Sequence, residues 1–254
     1  MKILICLKQV PDSTVRVKVA PGGKDIVTEG MTWAISPYDE YAIELALEVK
    51  DGDPTTTVSV VSVGPARARD ALRQALAMGC DDASLVVGEA SGLGLSRALA
   101  KVVMEAKPDV VLCGKQASDD DQGFIGPALA EALSWPHVPF VTKLAGASGA
   151  VEAWRETEGG HEVWKASAPV VLTVQKSAKE PRYPSLPGIM KAKKKEIPER
   201  EIVSLNVDTS GQTLEIASLE PPPVRGGGKM LKDGDMAAIA ADLVRLLREE
   251  AKVL

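Results

Sequence analysis

The chain has 254 residues, of which 45% are hydrophobic, and its 30 Lys and Arg against 35 Asp and Glu give a net charge of −5. This length and apolar content suit one large domain, or one domain with appendages, around a sizeable core. The acidic balance argues against general affinity for nucleic acid or for a membrane surface.

The cysteines indicate a reducing compartment. Cys6, Cys80 and Cys113 lie far apart and form neither a CxxC motif nor a disulfide framework. The apolar run at the N-terminus is too short for a signal peptide, and no run reaches the length of a membrane span. We therefore expect a cytoplasmic protein (or a matrix protein in a eukaryote) without direct membrane insertion.

Strand and helix patterns alternate through the first two-thirds of the chain. The stretch SPYDEYAIELALEVK, for example, has Ser36 as a helix cap, Pro37 at the first helical position and acids in the first turn. We predict strands over residues 2–10, 14–19, 55–64, 83–88, 108–114, 137–146 and 168–176. We predict helices over residues 36–50, 64–79, 91–107, 122–135 and 236–254. Such alternation indicates βαβ units, hence an α/β fold with a parallel sheet flanked by helices.

The pattern changes in the last third. VEAWRETEGGHEVWKA predicts a β-hairpin at about residues 150–165, whereas EPRYPSLPGIMKAKKK, which begins at Glu180, suits neither a helix nor a core strand. No convincing element follows Lys179 for about 50 residues, and PPPVRGGG has the composition of a linker. We divide the chain into an α/β domain (1–179), a basic segment (180–200) and a C-terminal arm (201–254). We expect the arm to wrap over a second polypeptide.

The basic segment stands out by its charge. Residues 176–200 hold eight basic and three acidic side chains, a local charge of +5, so the rest of the chain carries −10. A basic segment on an acidic body indicates a surface that faces a partner. The alternative is an ordinary solvated loop.

Four loops follow predicted strands or begin a predicted helix. In an open parallel sheet, ligands bind beyond the carboxyl ends of the strands, and free amides at a helix start attract phosphate. GKQASDDDQG is the most informative of the four, because it joins a buried strand to a helix and offers Lys115 to a phosphate. A nucleotide site and an ordinary polar capping loop both fit it. The four loops are Cys6–Asp12, Ser36–Asp39, Val63–Pro65 and Gly114–Gly123.

Several other kinds of site are absent from the sequence. There is no Walker A motif, no GxGxxG after the first strand and no EF-hand spacing around the three consecutive aspartates. Only His137 and His161 could serve a His-based zinc site or a nucleophile pair, and neither lies in a suitable pattern. We expect no self-contained catalytic centre and no metal.

The motifs together resemble the β subunit family of electron-transfer flavoproteins. LKQVPD, ISPYDEYAIE, ALAMG, GKQASDDD and EPRYPSLPGIMKAKKK occur in that family's order and spacing. The resemblance implies an adenine-nucleotide-hydrolase-like α/β fold with an extended C-terminal arm. It also implies a non-enzymatic carrier paired with an α subunit that holds most of the FAD contacts, while the β subunit binds AMP. Such carriers take electrons from acyl-CoA and other dehydrogenases and pass them to a membrane quinone oxidoreductase.

The resemblance assigns the nucleotide site to residues that coincide with the four loops. These residues are Cys6, Ser36, Pro37, Tyr38, Asp39, Val63, Gly114, Lys115, Gln116, Ala117, Ser118, Asp119, Asp120, Asp121, Gln122, Gly123, Phe124 and Ile125.

The resemblance also makes EPRYPSLPGIM a recognition loop for the dehydrogenase. Leu186 would insert into an apolar pocket of the partner, while Pro184 and Pro187 would restrict the chain around it. The lysines that follow would steer the loop toward acidic partners and so affect the association rate. The remaining residues assigned to this contact are Ile189, Met190, Lys191 and Lys194.

Two alternatives remain. Ser13 stands where carrier members often have an aromatic residue, as in electron-bifurcating members, which use NADH and bind a second FAD in place of AMP. The DDD run favours AMP instead. A stand-alone adenine-nucleotide sensor shares the architecture but needs neither the arm nor the proline-rich loop.

Overall fold

The computed structural model describes residues 1–147, 149–177, 179–210, 216–223, 226–232 and 234–254. The strands are β1 Lys2–Cys6, β2 Gln9–Pro11, β3 Trp33–Ile35, β4 Thr57–Gly64, β5 Asp82–Val87, β6 Val110–Gly114, β7 His137–Ala147, β8 Ala150–Thr157, β9 Gly160–Ser167, β10 Val170–Val174 and β11 Glu199–Glu201. The α-helices are α1 Pro37–Gly52, α2 Arg69–Met78, α3 Gly92–Ala106, α4 Ile125–Leu133, α5 Leu186–Lys194 and α6 Met236–Glu249. Short 3-10 helices span Ala66–Ala68 and Ile202–Leu205.

A nine-stranded sheet in the order β11-β5-β4-β1-β6-β10-β7-β8-β9 forms the centre of the molecule. The strands from β11 to β7 are parallel, and β8 and β9 add an antiparallel hairpin at one edge. This arrangement confirms the predicted α/β fold with a mostly parallel sheet, and it confirms the predicted hairpin.

Helices cover both faces of the sheet because successive strand residues point to opposite sides. In β1, Ile3 and Ile5 join the core under α1 and α2, whereas Leu4 and Cys6 join the core under α3 and α4. Both faces of the central strands are therefore apolar, as parallel strands between two helix layers require.

One local prediction is wrong, and another holds for the position of the residue but not for its hydrogen bond. The alternating stretch at 14–19 is not a strand, because it forms only an isolated bridge between Val19 and Ile26 around the Pro-Gly-Gly turn. Ser36 does occupy the cap position of α1, but its hydroxyl is buried and finds no hydrogen-bond partner within the described residues.

The most consequential correction concerns EPRYPSLPGIMKAKKK, which contains a nine-residue helix, α5. Pro187 lies in the first turn, where a missing N–H leaves no helical hydrogen bond unmade. The Ser185 hydroxyl caps the helix by accepting a hydrogen bond from the Gly188 amide at 3.1 Å. The lysines lie in the last turn, where the helix dipole favours cations. Strand β11 and the 3-10 helix at Ile202–Leu205 follow it, so residues 180–205 are far more regular than predicted.

The C-terminal helix α6 is confirmed, although it ends at Glu249. None of its residues is buried against the described part of the chain. The linker predicted over residues 221–228 lies partly outside the described residues. No helix in the described ranges is both long and apolar enough to cross a membrane. The three-segment division of the chain remains a prediction.

Candidate functional site

A cavity of about 610 Å³ opens at the carboxyl ends of the central strands. Strands β4 and β5 follow one another on one side of β1, and β6 lies on its other side. The strand order thus reverses beside β1, and this is where ligands bind in open α/β sheets. The volume lies within the range of pockets that hold small molecules and cofactors.

Each of the four predicted loops contributes to this cavity. The predicted residues that line it are Cys6, Asp39, Val63, Gly114, Lys115, Gln116, Ala117, Asp119, Asp120, Gln122, Gly123, Phe124 and Ile125.

The other predicted nucleotide-site residues lie beside the cavity and do not line it. Pro37 and Ser118 are exposed, and Ser36 is buried behind the loop. The Tyr38 ring lies under the Lys115 ammonium, 4.8 Å from the ring centroid. Asp121 turns back to accept a hydrogen bond from the Gln116 side chain at 2.8 Å.

Sequence reasoning missed two parts of the wall. The loop 88–92, between β5 and α3, lines the cavity next to the predicted loops. The strand-end rule could have found it, because Gly88 and Gly92 follow a strand and both take positive φ angles. The other part comes from distant segments that carry no local signal. It consists of Asp25, Ile26, Thr28, Trp33, Arg67, Ile216 and Leu219.

Asp39 joins two strand ends at the base of the cavity. Its carboxylate accepts the Lys8 amide of the chain leaving β1 and the Gly114 amide at the end of β6, each at 2.8 Å. Burial raises the pKa of Asp39 to about 7, although the two amides favour the charged form. The side chain therefore fixes the spacing of the two strands whose ends form the site.

The aspartates of the loop after β6 are partly neutralised by Lys8. Its ammonium forms ion pairs with Asp119 at 2.8 Å and with Asp120 at 2.9 Å. Burial alone would lower the pKa of Lys8, but these carboxylates raise it, so the lysine stays charged. This pairing reduces the repulsion that three consecutive aspartates would otherwise exert on a phosphate.

The start of α4 supplies amide donors to the same loop. Phe124 occupies the cap position without a capping side chain, so the first amides of the helix are available to an anion. Gly126 lets this helix approach the sheet closely, because a Cβ there would clash with the Thr173 methyl group. The cavity thus offers backbone donors, the Lys115 cation and an apolar wall.

Two thiols, Cys6 and Cys113, lie in the cavity wall. Cys6 and Cys113 are register partners on neighbouring strands and are both buried. The adjacent Cys6 side chain and burial raise the pKa of Cys113 well above its ordinary value, so the thiol stays protonated. Within the described ranges, no group of three His, Cys, Asp or Glu side chains could hold a metal ion.

A second feature lies on the α1–α2 side of the sheet. Helix α5 exposes Leu186 by 74% and Met190 by 53%, with Ile189 between them, and Tyr183 just before the helix is 93% exposed. Positions i, i+3 and i+4 lie on one helix face, so these side chains form an apolar patch, which we call the α5 patch. Lys191 and Lys194 are exposed beside it.

Comparison with known proteins agrees with this architecture. A family model described as electron transfer flavoprotein domain matches residues 24–205. Proteins named electron transfer flavoprotein subunit beta are 38% identical in Bradyrhizobium diazoefficiens, 38% in Bacillus subtilis and 35% in human. These alignments cover 100% of this chain and 99–100% of each relative. The chain therefore belongs to the electron transfer flavoprotein family, among its β subunits.

Proposed function

We propose that the chain is the nucleotide-binding, dehydrogenase-facing subunit of a heterodimeric electron carrier. It pairs with an α subunit that holds most of the FAD contacts. The heterodimer accepts electrons from acyl-CoA or other dehydrogenases and delivers them to a membrane quinone oxidoreductase. The chain itself holds AMP and presents the docking surface.

The observation that carries the proposal is the convergence of the four loops on one cavity beside β1. An adenine mononucleotide fits the donors found there. The amides of residues 114–126 and Lys115 suit a phosphate, and the apolar wall suits a base. Gln9 also lines the cavity, and its buried side-chain oxygen finds no hydrogen-bond donor within the described residues, which leaves it available to a hydroxyl or amino group.

Nucleotide content tests the cavity assignment. The chain is co-expressed with its α partner, the purified complex is denatured, and the released nucleotides are quantified by chromatography. We expect one FAD and one AMP per heterodimer. A complex with FAD but no second nucleotide would contradict the assignment.

Electron acceptance tests the docking assignment. Leu186→Ala removes the most exposed aliphatic side chain of the α5 patch, and hot-spot side chains at interfaces contribute roughly 2 kcal/mol or more. We expect the KM for the heterodimer as electron acceptor of an acyl-CoA dehydrogenase to rise at least tenfold, with unchanged FAD content. Val203→Ala is the control, because Val203 is 80% exposed but belongs to the 3-10 helix on the other face of the sheet.

A second candidate function is electron bifurcation, with a second FAD in place of AMP. It is favoured by the extent of the cavity, which continues past the four loops to a Trp33–Arg67 stack whose guanidinium lies 3.7 Å from the ring centroid. Ser13 directly follows the first loop, Cys6–Asp12. Two FAD per heterodimer and flavin reduction by NADH would establish this function, whereas one AMP and no response to NADH would exclude it.

A further inference from the structure

A fully buried carboxylate lies in the middle of α1, outside the cavity. Glu44 accepts three hydrogen bonds from Arg182: from the amide at 2.9 Å, from Nε at 2.8 Å and from Nη2 at 3.0 Å. Lys179 adds an ion pair at 3.0 Å. Burial raises the pKa of Glu44, but the contacts with Arg182 and Lys179 outweigh it and lower the pKa to about 2. The carboxylate is therefore charged and fully satisfied.

Other contacts extend this ion pair along α1. Arg182 also pairs with Asp51 at 2.8 Å, and Lys179 pairs with Glu48 at 3.2 Å. The Tyr41 hydroxyl donates to Glu180 at 2.7 Å. One face of α1 thus holds three residues that lead toward α5: Lys179, Glu180 and Arg182. We call this set of contacts, centred on Glu44 and Arg182, the α1 clamp.

The far end of α5 is held independently. Arg73 of α2 donates to the Ala192 carbonyl oxygen at 2.5 Å and also to the Lys195 carbonyl oxygen. Ala192 is buried in the core, whereas Leu186 and Met190 on the same helix face outward. Both ends of α5 are therefore anchored to the body of the protein, and the α5 patch lies between the anchors.

We infer that Arg182 and Glu44 are positioning residues that orient the α5 patch before the dehydrogenase binds. A segment that carries Pro184 and an exposed Tyr183 would otherwise have to be ordered at the moment of docking, and ordering weakens affinity. A bidentate guanidinium–carboxylate contact fixes direction as well as distance. This inference rests on the proposed docking function and adds the device that makes docking efficient.

The test is a double-variant cycle on the assembled heterodimer, with an acyl-CoA dehydrogenase as electron donor. Arg182→Gln is expected to raise the KM about tenfold and to leave kcat, FAD content and AMP content unchanged. In the Leu186→Ala background it is expected to raise the KM by less than about twofold, because the clamp acts through the orientation of that patch. Arg200→Gln is the matched control, since it breaks an ion pair that lies away from α5. In this pair Arg200 is 2.6 Å from Glu105.

The outcomes separate the inference from the proposed function. An unchanged KM in Leu186→Ala would overturn the docking surface itself. If Leu186→Ala raises the KM and Arg182→Gln does not, the positioning role is overturned. It is also overturned if the two increases in KM multiply in the double variant. If Arg182→Gln fails to assemble, Arg182→Lys keeps the charge without the bidentate contact and is expected to raise the KM about threefold. A wild-type KM in that folded complex would overturn the inference.

Discussion

Asp39 shows how one side chain can determine the geometry of the candidate site. Its two oxygens accept amides from chain segments that leave adjacent strands, so the carboxylate holds the cavity floor together. The same burial that makes this link effective makes the charged form costly, and the pKa of Asp39 rises to about 7. The residue should therefore couple protein stability to pH.

Replacing Asp39 by Asn tests this coupling. Because the pKa of Asp39 is higher in the folded chain than in the unfolded chain, its contribution to stability is greatest at low pH and is lost as pH rises through about 7. Between pH 5.5 and pH 8, the free energy of unfolding should fall by about 2 kcal/mol more in the wild type than in Asp39→Asn. Urea unfolding at the two pH values measures it.

Parallel pH dependence in the two proteins would contradict a raised pKa for Asp39. Titrating groups other than Asp39 are present in both proteins and cancel in the difference. His137, whose pKa is lowered by burial, is one such group.

The sequence located Asp39 in a strand-end loop but could not identify its partners. Lys8 and Gly114 are 31 and 75 residues away from it, and only the sheet order brings their amides together. The same is true of the Trp33–Arg67 stack, which belongs to two segments without a shared motif. Rules about strand ends find loops, whereas contacts between loops depend on the tertiary structure.

At the scale of elements, α5 shows how local signals can mislead. The proline and the glycine in LPGIM predict a loop rather than a helix. In the structure Pro187 lies in the first helical turn, and Gly188 lets α5 approach the end of α2, because a Cβ there would clash with the Ala77 carbonyl oxygen. Proline and glycine break helices elsewhere, but here Pro187 fits the capped first turn and Gly188 allows the close contact with α2.

Gly188→Ala should therefore push α5 away from α2. We expect a loss of roughly 1–3 kcal/mol in the free energy of unfolding, as found for overpacked sites, together with a weaker α5 docking surface. Thermal or urea unfolding measures the loss. Gly160→Ala is the control, because no atom lies within 4 Å of a Cβ at that position and its φ is not positive. Equal stability of the two variants would show that α5 does not rest on α2.

At the scale of the whole molecule, α6 is an amphipathic helix without a partner in the described chain. Met236 and Leu243 are exposed, and an apolar stripe at helical spacing normally packs against another surface. The sequence predicted both the helix and its need for a second polypeptide. The helix is confirmed, and that the α subunit covers it is part of the proposed function.

Hydrogen exchange tests this part of the proposal. In the isolated chain the amides of residues 240–249 should exchange quickly, because a helix without tertiary contacts opens easily. In the heterodimer we expect at least tenfold slower exchange there. The amides of β4 serve as an internal reference, since this strand is buried in both states. Equal rates in α6 with and without the α subunit would show that the arm is not part of the interface.

Helix α1 contributes to both proposed functional regions: Asp39 in its first turn faces the cavity, and Glu44 and Asp51 hold Arg182. Each residue of an α-helix turns the chain by about 100°. A single insertion between Asp39 and Glu44 would therefore rotate Glu44 away from Arg182 while leaving Asp39 in place. The length of this helix is therefore constrained, whereas the hairpin turn between β8 and β9 can accept insertions. In sequences that diverge from this chain, insertions and deletions should accumulate in that turn and be absent from α1.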